Sequence, residues 1–397
     1  MPDPLGTRLR AERDRLDIDQ PPLAVITARA VALRRRHRLV QGGVAAAVAV
    51  VVAGGVAAVM APSGEQAPRP PAASSDPGGV WTDENVTVNG LAHLPTDLPG
   101  KIRDVEFVDA DRGFLLAADC AGLGSCTNRV YATADGGRTW AMQAVPAQLG
   151  STDAASVPAL VVTGSQVALV AGTTVAVGDP WEVSSASPAA TPLPGTARLY
   201  STGCGQPLLA VTPSGLIAPP QQPPGISVCW TSPVRAGDGS WWVGGSSGGK
   251  AALSVSRDDG RHWENHVFDV SGQARVAMLG TNVYAFLVDP ASTPARLLGV
   301  ASSEDGGVKW GPVHPTAGNA TIGGDAVPLL DGRLLIVDGV GHWLVSEDRG
   351  ASWHRLEGLH QTMRLARTRV GYVAYEMSNI YTAFSVDGST WQKLDAQ

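Results

Sequence analysis

The chain has 397 residues, a formal net charge of −6, 44% hydrophobic and 17% charged residues, with 47 Gly and 29 Pro. Charge is too sparse for a disordered polyelectrolyte, and Gly and Pro are too frequent for a long coiled coil. What remains is a loop-rich β protein with a large core, for which length alone gives about two domains as a prior.

Charge is segregated along the chain. Residues 1–38 carry nine Arg against five acids, 39–61 carry no charge, and 62–397 carry 21 Lys+Arg against 31 Asp+Glu. Of the 30 basic residues 26 are Arg and 4 are Lys, a bias that fits a GC-rich genome of the actinobacterial kind. The acidic bulk repels phosphate backbones, so nucleic acid is not an expected partner.

Taken in order, residues 1–38 read as a short cytoplasmic tail with two helix-compatible stretches. Leu39–Ala61 is uncharged, and its 23 residues suffice to cross a hydrocarbon core about 30 Å thick as a helix. Arg34-Arg35-Arg36-His37-Arg38 precedes it and no Lys or Arg follows until Arg69, which places the N-terminus inside and the bulk outside. The expectation is a single-pass cell-membrane protein, with a signal peptide cleaved after Ser63 as the rival. Residues 62–79 (PSGEQAPRPPAASSDPGG) form a Pro/Ala/Ser-rich spacer, and 80–397 form the extracytoplasmic domain. All four cysteines lie in that domain. An even number on the oxidising side implies disulfides, and the spacing fits no zinc motif. Three pairings are open; Cys120–Cys126 and Cys204–Cys229 are favoured because each would fall within one repeat.

The repeats follow a pattern Ser/Thr-x-Asp-x-Gly-x-x-Trp. It occurs at Thr133-Ala-Asp135-Gly-Gly137-Arg-Thr139-Trp140, Ser256-Arg-Asp258-Asp-Gly260-Arg-His-Trp263 and Ser303-Glu-Asp305-Gly-Gly307-Val-Lys-Trp310. It recurs at Ser346-Glu-Asp348-Arg-Gly350-Ala-Ser352-Trp353 and, one residue shorter, at Ser385-Val-Asp387-Gly388-Ser-Thr390-Trp391. Each sits between β-rich runs and reads as a hairpin turn. The Asp accepts hydrogen bonds from nearby backbone N–H groups, the Gly takes a positive φ, and the Trp is expected to bury its ring between neighbouring sheets. The duties of these five Asp are structural.

This arrangement resembles the Asp-box (BNR) repeat of β-propellers, found in sialidases, sortilin-type receptors and photosystem II assembly factors. The resemblance covers about residues 100–397 and implies an all-β ring. Trp181 and Trp230 fill the long interval between Trp140 and Trp263, so seven Trp mark seven blades of about 43 residues, with six as the alternative. Val80–Leu94 is expected to add a strand that helps close the ring.

Catalytic patterns are weak. A sialidase, by the same resemblance, uses three Arg, a Tyr–Glu pair and an Asp, with the first Arg in an Arg-Ile-Pro motif that is absent here. Tyr372 and Tyr375-Glu376 read more simply as a strand. His262 and His266 straddle a hairpin rather than a helix, so no zincin is implied, and the run from Gly244 to Gly249 reads as a hairpin rather than a phosphate loop. No cofactor or metal is expected. The function read from sequence is a membrane-anchored propeller that binds or scaffolds protein or glycan partners at the cell surface, a reading favoured over an enzyme. A glycoside hydrolase with its site at the central mouth is the alternative. Trp241-Trp242 is the notable candidate contact pair, with one of the two expected in the core by strand alternation.

Overall fold

The structure, a computed structural model, describes residues 81–396 except 84–85, 95–97, 123, 154–156, 179–180, 185–187, 357–360 and 376–381. The expected tail (1–38), membrane helix (39–61) and spacer (62–79) all lie outside the described residues. Among the described residues no helix is long and apolar enough to cross a membrane, and the one helix is the four-residue Ala147–Gly150. The membrane-helix part of the expected fold class is therefore corrected. The described chain is all-β, because its apolar runs are broken into short strands by Gly- and Asp-rich turns.

Seven antiparallel-based sheets follow one another along the chain, so the seven-blade count holds. Their innermost strands are Lys101–Phe107, Ala159–Thr163, Arg198–Tyr200, Ser227–Thr231, Gln273–Leu279, Val327–Pro328 and Arg364–Arg367, here blades 1 to 7. Each blade then steps outward through hairpins. Blade 3 departs from the rule: its outermost strand, Ala189–Ala190, precedes the innermost one and pairs in parallel with Gly215–Ala218. Blade 7 is completed by Tyr372–Tyr375, Thr382–Ser385 and Thr390–Ala396. Outside it, Val86–Leu94 runs parallel to Thr390–Ala396, and Trp81–Asp83 pairs with Val86–Leu94. The N-terminal segment thus adds two strands, not one.

A blade is covered on both faces by its neighbours, so strand alternation does not send every second side chain to solvent. Trp241 and Trp242 make the point: they are 0% and 1% exposed. Trp241 packs in the core shared with blade 3, and Trp242 in the core shared with blade 5. Neither is a ligand contact, which corrects the sequence reading. Burying two such rings contributes roughly 3–6 kcal/mol by area alone. Blades 7 and 1 meet through Phe107 stacked on Phe384, centroids 4.1 Å apart, within a cluster that includes Ile102, Val373 and Tyr375.

All four cysteines are paired as favoured, Cys120–Cys126 and Cys204–Cys229. The first bridges facing residues of one hairpin. The second was expected inside one repeat, but it ties the segment after the inner strand of blade 3 to the inner strand of blade 4. The count of seven also rests on one misplaced marker. Trp230 lies on the inner strand of blade 4, and blade 3 (Ala189–Ala218) contains no Trp at all.

Candidate functional site

The five Asp-containing turns share one hydrogen-bond pattern. In each, the Ser or Thr hydroxyl donates to the Asp Oδ1 and accepts from the backbone N–H of the Gly that follows. The Asp Oδ1 also accepts a later backbone N–H, from Thr139, His262, Lys309, Ser352 or Thr390, at 2.7–2.9 Å. These bonds hold Asp258 at about 2, and keep Asp305 below the ordinary carboxylate range. Such carboxylates are fixed acceptors, with no proton to trade at neutral pH.

In four of the five turns the Gly meets the preceding blade. A Cβ on Gly307 would enter the Trp242 ring of blade 4 (2.8 Å to Cζ2), and one on Gly388 would lie 2.5 Å from Val327 of blade 6. Gly350 faces Val300 in the same way, and Gly260 faces Leu193. The boxed Trp residues are less uniform than expected. Trp263 and Trp391 are buried, whereas Trp140, Trp310 and Trp353 are half-buried. Trp140, Trp353 and Trp391 donate their indole N–H to the carbonyl of their own turn Gly, while Trp263 reaches Gln221. His266 stacks on Trp310, and His262 is exposed and bonded to Asp258. Among the described residues no group of His, Cys, Asp and Glu is arranged to hold a metal.

The chemically dense region lies at the centre of the ring instead. A cavity of about 190 Å³ is lined there by Asp104, Glu106, Arg198, Asp325, Arg364 and Arg367, with Tyr200, Trp230 and Tyr375 among its walls. Three of its bonds cross between blades that are not neighbours. Arg198 Nη2 donates to Glu106 Oε1 at 2.5 Å, from blade 3 to blade 1, and to the Arg367 carbonyl of blade 7 at 3.3 Å. Arg367 Nη1 donates to the Met278 carbonyl of blade 5, and its backbone N–H donates to Asp325 Oδ2 at 2.7 Å. The Leu160 N–H of blade 2 donates to Asp104 Oδ2 at 3.1 Å. Arg275 donates to the Gly324 carbonyl at 2.7 Å and lies over the Trp230 ring at 4.7 Å.

Burial dominates the electrostatics here. It pushes Asp104 up to about 6, against the Leu160 N–H and the fields of Arg364 and Arg198. Glu106 and Asp325 are also raised by burial, with Arg198 opposing the shift of Glu106 and the Arg367 N–H that of Asp325. Tyr375 is buried, its phenol is pushed well up by burial, and its hydroxyl donates to the Arg103 carbonyl at 3.2 Å. A phenol so placed is held neutral and occupied, the reverse of an activated nucleophile. Tyr372 is likewise buried, and Glu376 lies outside the described residues.

In the sequence Tyr375 reads as a strand residue and Trp230 as a blade marker, and none of the charged members of this cluster is singled out. Its members lie far apart along the chain, 92 residues separating Arg198 from Glu106 and 169 separating it from Arg367. The available signal was charge inside first strands, as in Asp104-Val-Glu106, Arg198-Leu-Tyr200 and Arg364-Leu-Ala-Arg367, where a buried sheet would otherwise be apolar.

No protein-family model matches this sequence, and no curated protein matches it. Among solved structures it is similar to YCF48 bound to D1 peptide, at 18% identity over 82% of this chain and 86% of that one, with a TM-score of 0.37. It is also similar to YCF48 from Cyanidioschyzon merolae (15%, 73% and 94%, TM-score 0.44) and to a chain of the mitotic checkpoint complex (7%, 86% and 98%, TM-score 0.46). At such identities nothing about function follows from these likenesses, and the ring is read from its own sheets.

Proposed function

We propose that this chain is a non-catalytic binding module: a seven-blade propeller, with turns of the Asp-box type, that presents its loop face to protein or glycan partners outside the cytoplasm. The observation that carries the reading is the state of the central groups. The Tyr375 phenol and the carboxylates of Asp104, Glu106 and Asp325 are tied to backbone or to a guanidinium, so none of these is poised as a nucleophile. Two further features support it. Val308, Leu330 and Val386 are exposed (69%, 76% and 56%) in turns at the same end of blades 5, 6 and 7. Four paired cysteines fit an oxidising compartment.

The test is binding of the purified chain to peptide and glycan arrays, repeated with the double variant Val308→Asp/Leu330→Asp. Exposed positions tolerate the change, so a binder lost by about tenfold or more with an unchanged melting temperature supports the reading. Arrays without a binder retire it.

One observation favours a second reading, a glycoside hydrolase. Three Arg (Arg198, Arg364, Arg367), Tyr375 and acids of raised pKa line the same cavity. Turnover of fluorogenic sialosides or glycosides, abolished by Tyr375→Phe, would establish it in place of the binding module.

A further inference from the structure

The ion pair at the centre is only half made. Arg198 Nη2 meets Glu106 Oε1, but Arg198 Nη1 and Glu106 Oε2 are buried without a hydrogen-bond partner among the described residues. Both residues are more than nine-tenths buried, at 8% and 5% exposure, and both line the cavity. A buried charged donor and a buried charged acceptor left open each carry an uncompensated desolvation cost. A site built this way asks for a molecule that brings an acceptor to one and a donor to the other.

The rest of the lining narrows the chemistry. Arg364 is exposed and lines the cavity, whereas Arg367, three residues on and so on the other side of the strand, gives its Nη1 to the Met278 carbonyl. Asp104 lies two residues from Glu106 on one strand and so on the same side of it, and Asp325 adds a third carboxylate. A simple anion would face three carboxylates, and a simple cation would face the guanidinium groups of Arg198 and Arg364. A zwitterion avoids both penalties, because each of its charges finds the opposite one. Its charge-assisted bonds are about twice as strong as those of neutral hydroxyls, which places it ahead of a sugar. The volume of about 190 Å³ falls below the ~300–1,000 Å³ of pockets for larger ligands. It admits one amino acid and excludes a folded peptide.

We infer that the central cavity is a binding site for a free α-amino acid. The carboxylate sits on Arg198 Nη1 with Arg364 beside it, and the ammonium sits on Glu106 Oε2 toward Asp104. Trp230 and Tyr200, both half-buried, form the walls for the side chain. This site is independent of the loop face and of whatever macromolecule binds there.

The test uses the full chain, with glycine, L-alanine, L-glutamine and L-leucine as probes and acetate, methylammonium and methyl glucoside as contrasts. Calorimetry and saturation-transfer NMR read the binding. At least one amino acid should bind, with acetate and methylammonium each about tenfold weaker or worse. Arg364→Ala should weaken it about tenfold at an unchanged melting temperature, and Glu106→Gln should remove it. Since Glu106 is buried and its variant can misfold, the exposed Arg364 carries the decision. The inference is overturned by no amino-acid binding up to about 50 mM, by equal binding of acetate or the glucoside, or by undiminished affinity in Arg364→Ala.

Discussion

Replacing Gly307 by Ala isolates what holds one blade against the next. Gly307 has φ +83 and its turn lies against Trp242 of the preceding blade. An alanine there adopts a left-handed backbone at about 1–2 kcal/mol. Its Cβ must also displace the Trp242 ring, which is 1% exposed and braced edge-on by Trp310 at 6.3 Å. Overpacking of that kind adds about 1–3 kcal/mol, for a total of about 2–5 kcal/mol. Gly332 supplies the control. Its φ is +90, but a Cβ there would meet nothing within 4 Å, so Gly332→Ala should cost only the backbone share of about 1–2 kcal/mol. Urea titration of the two variants beside the parent gives the difference directly. In thermal melts each kcal/mol amounts to roughly 2 °C in a ring of this size. Equal losses in both variants, or no loss in Gly307→Ala, would refute the claim that turn glycines are selected for contact between blades.

Three more expectations follow from the central cluster and the disulfides. Arg198→Met strands Glu106 in the interior and should destabilise by about 3–5 kcal/mol, whereas Arg198→Met/Glu106→Leu should recover much of that loss in the same titration. Asp104, raised to about 6 in the folded state, binds its proton more tightly there than in the unfolded chain. Its contribution to stability is therefore fully present below about pH 4 and falls by about 2–3 kcal/mol as pH rises through 6. Denaturation at pH 4, 5, 6 and 7 should show that decline in the parent and a flatter profile in Asp104→Asn. Removing Cys204–Cys229, which spans 25 residues, should cost about 3.5 kcal/mol, and removing Cys120–Cys126, which spans 6, about 2 kcal/mol. Paired Cys→Ser variants melted without reductant check the order.

Chemistry confined to a few residues was readable in the sequence, and chemistry made by the ring was not. The bonds of the Asp turns run between residues two to four apart, so the pattern around Asp135 or Asp348 carries its own geometry. Repeat spacing gave the right number of blades because each blade is one local excursion of four strands. It misread Trp230 because one residue type cannot tell an outer strand from an inner one. Trp241 and Trp242 defeated alternation because their strand has a neighbouring sheet on each side. The second disulfide and the Arg198–Glu106 pair depend on which blades the closed ring sets together. Turn glycines were assigned to positive φ alone, since their second constraint is set by side chains of another blade.

The two N-terminal strands lie outside a blade that the C-terminal residues complete by themselves. The ring is consequently sealed without exchanging a strand between its ends. Its seam is a face contact, Phe384 on Phe107 with Tyr375 reaching the Arg103 carbonyl, of the same kind that joins the other blades. In connectivity terms the molecule is a closed cycle that can be cut between its blades. New termini can be opened between successive blades without dividing a sheet, as circular permutation requires. The exceptions are the stretch between Ala190 and Arg198, where a cut would part blade 3 from its own outer strand, and that between Gln143 and Ser151, where it would part blade 1 from Ser151–Asp153, which pairs with Ser125–Thr133. Trimming residues 81–94 would likewise peel an outer layer and leave the cycle closed.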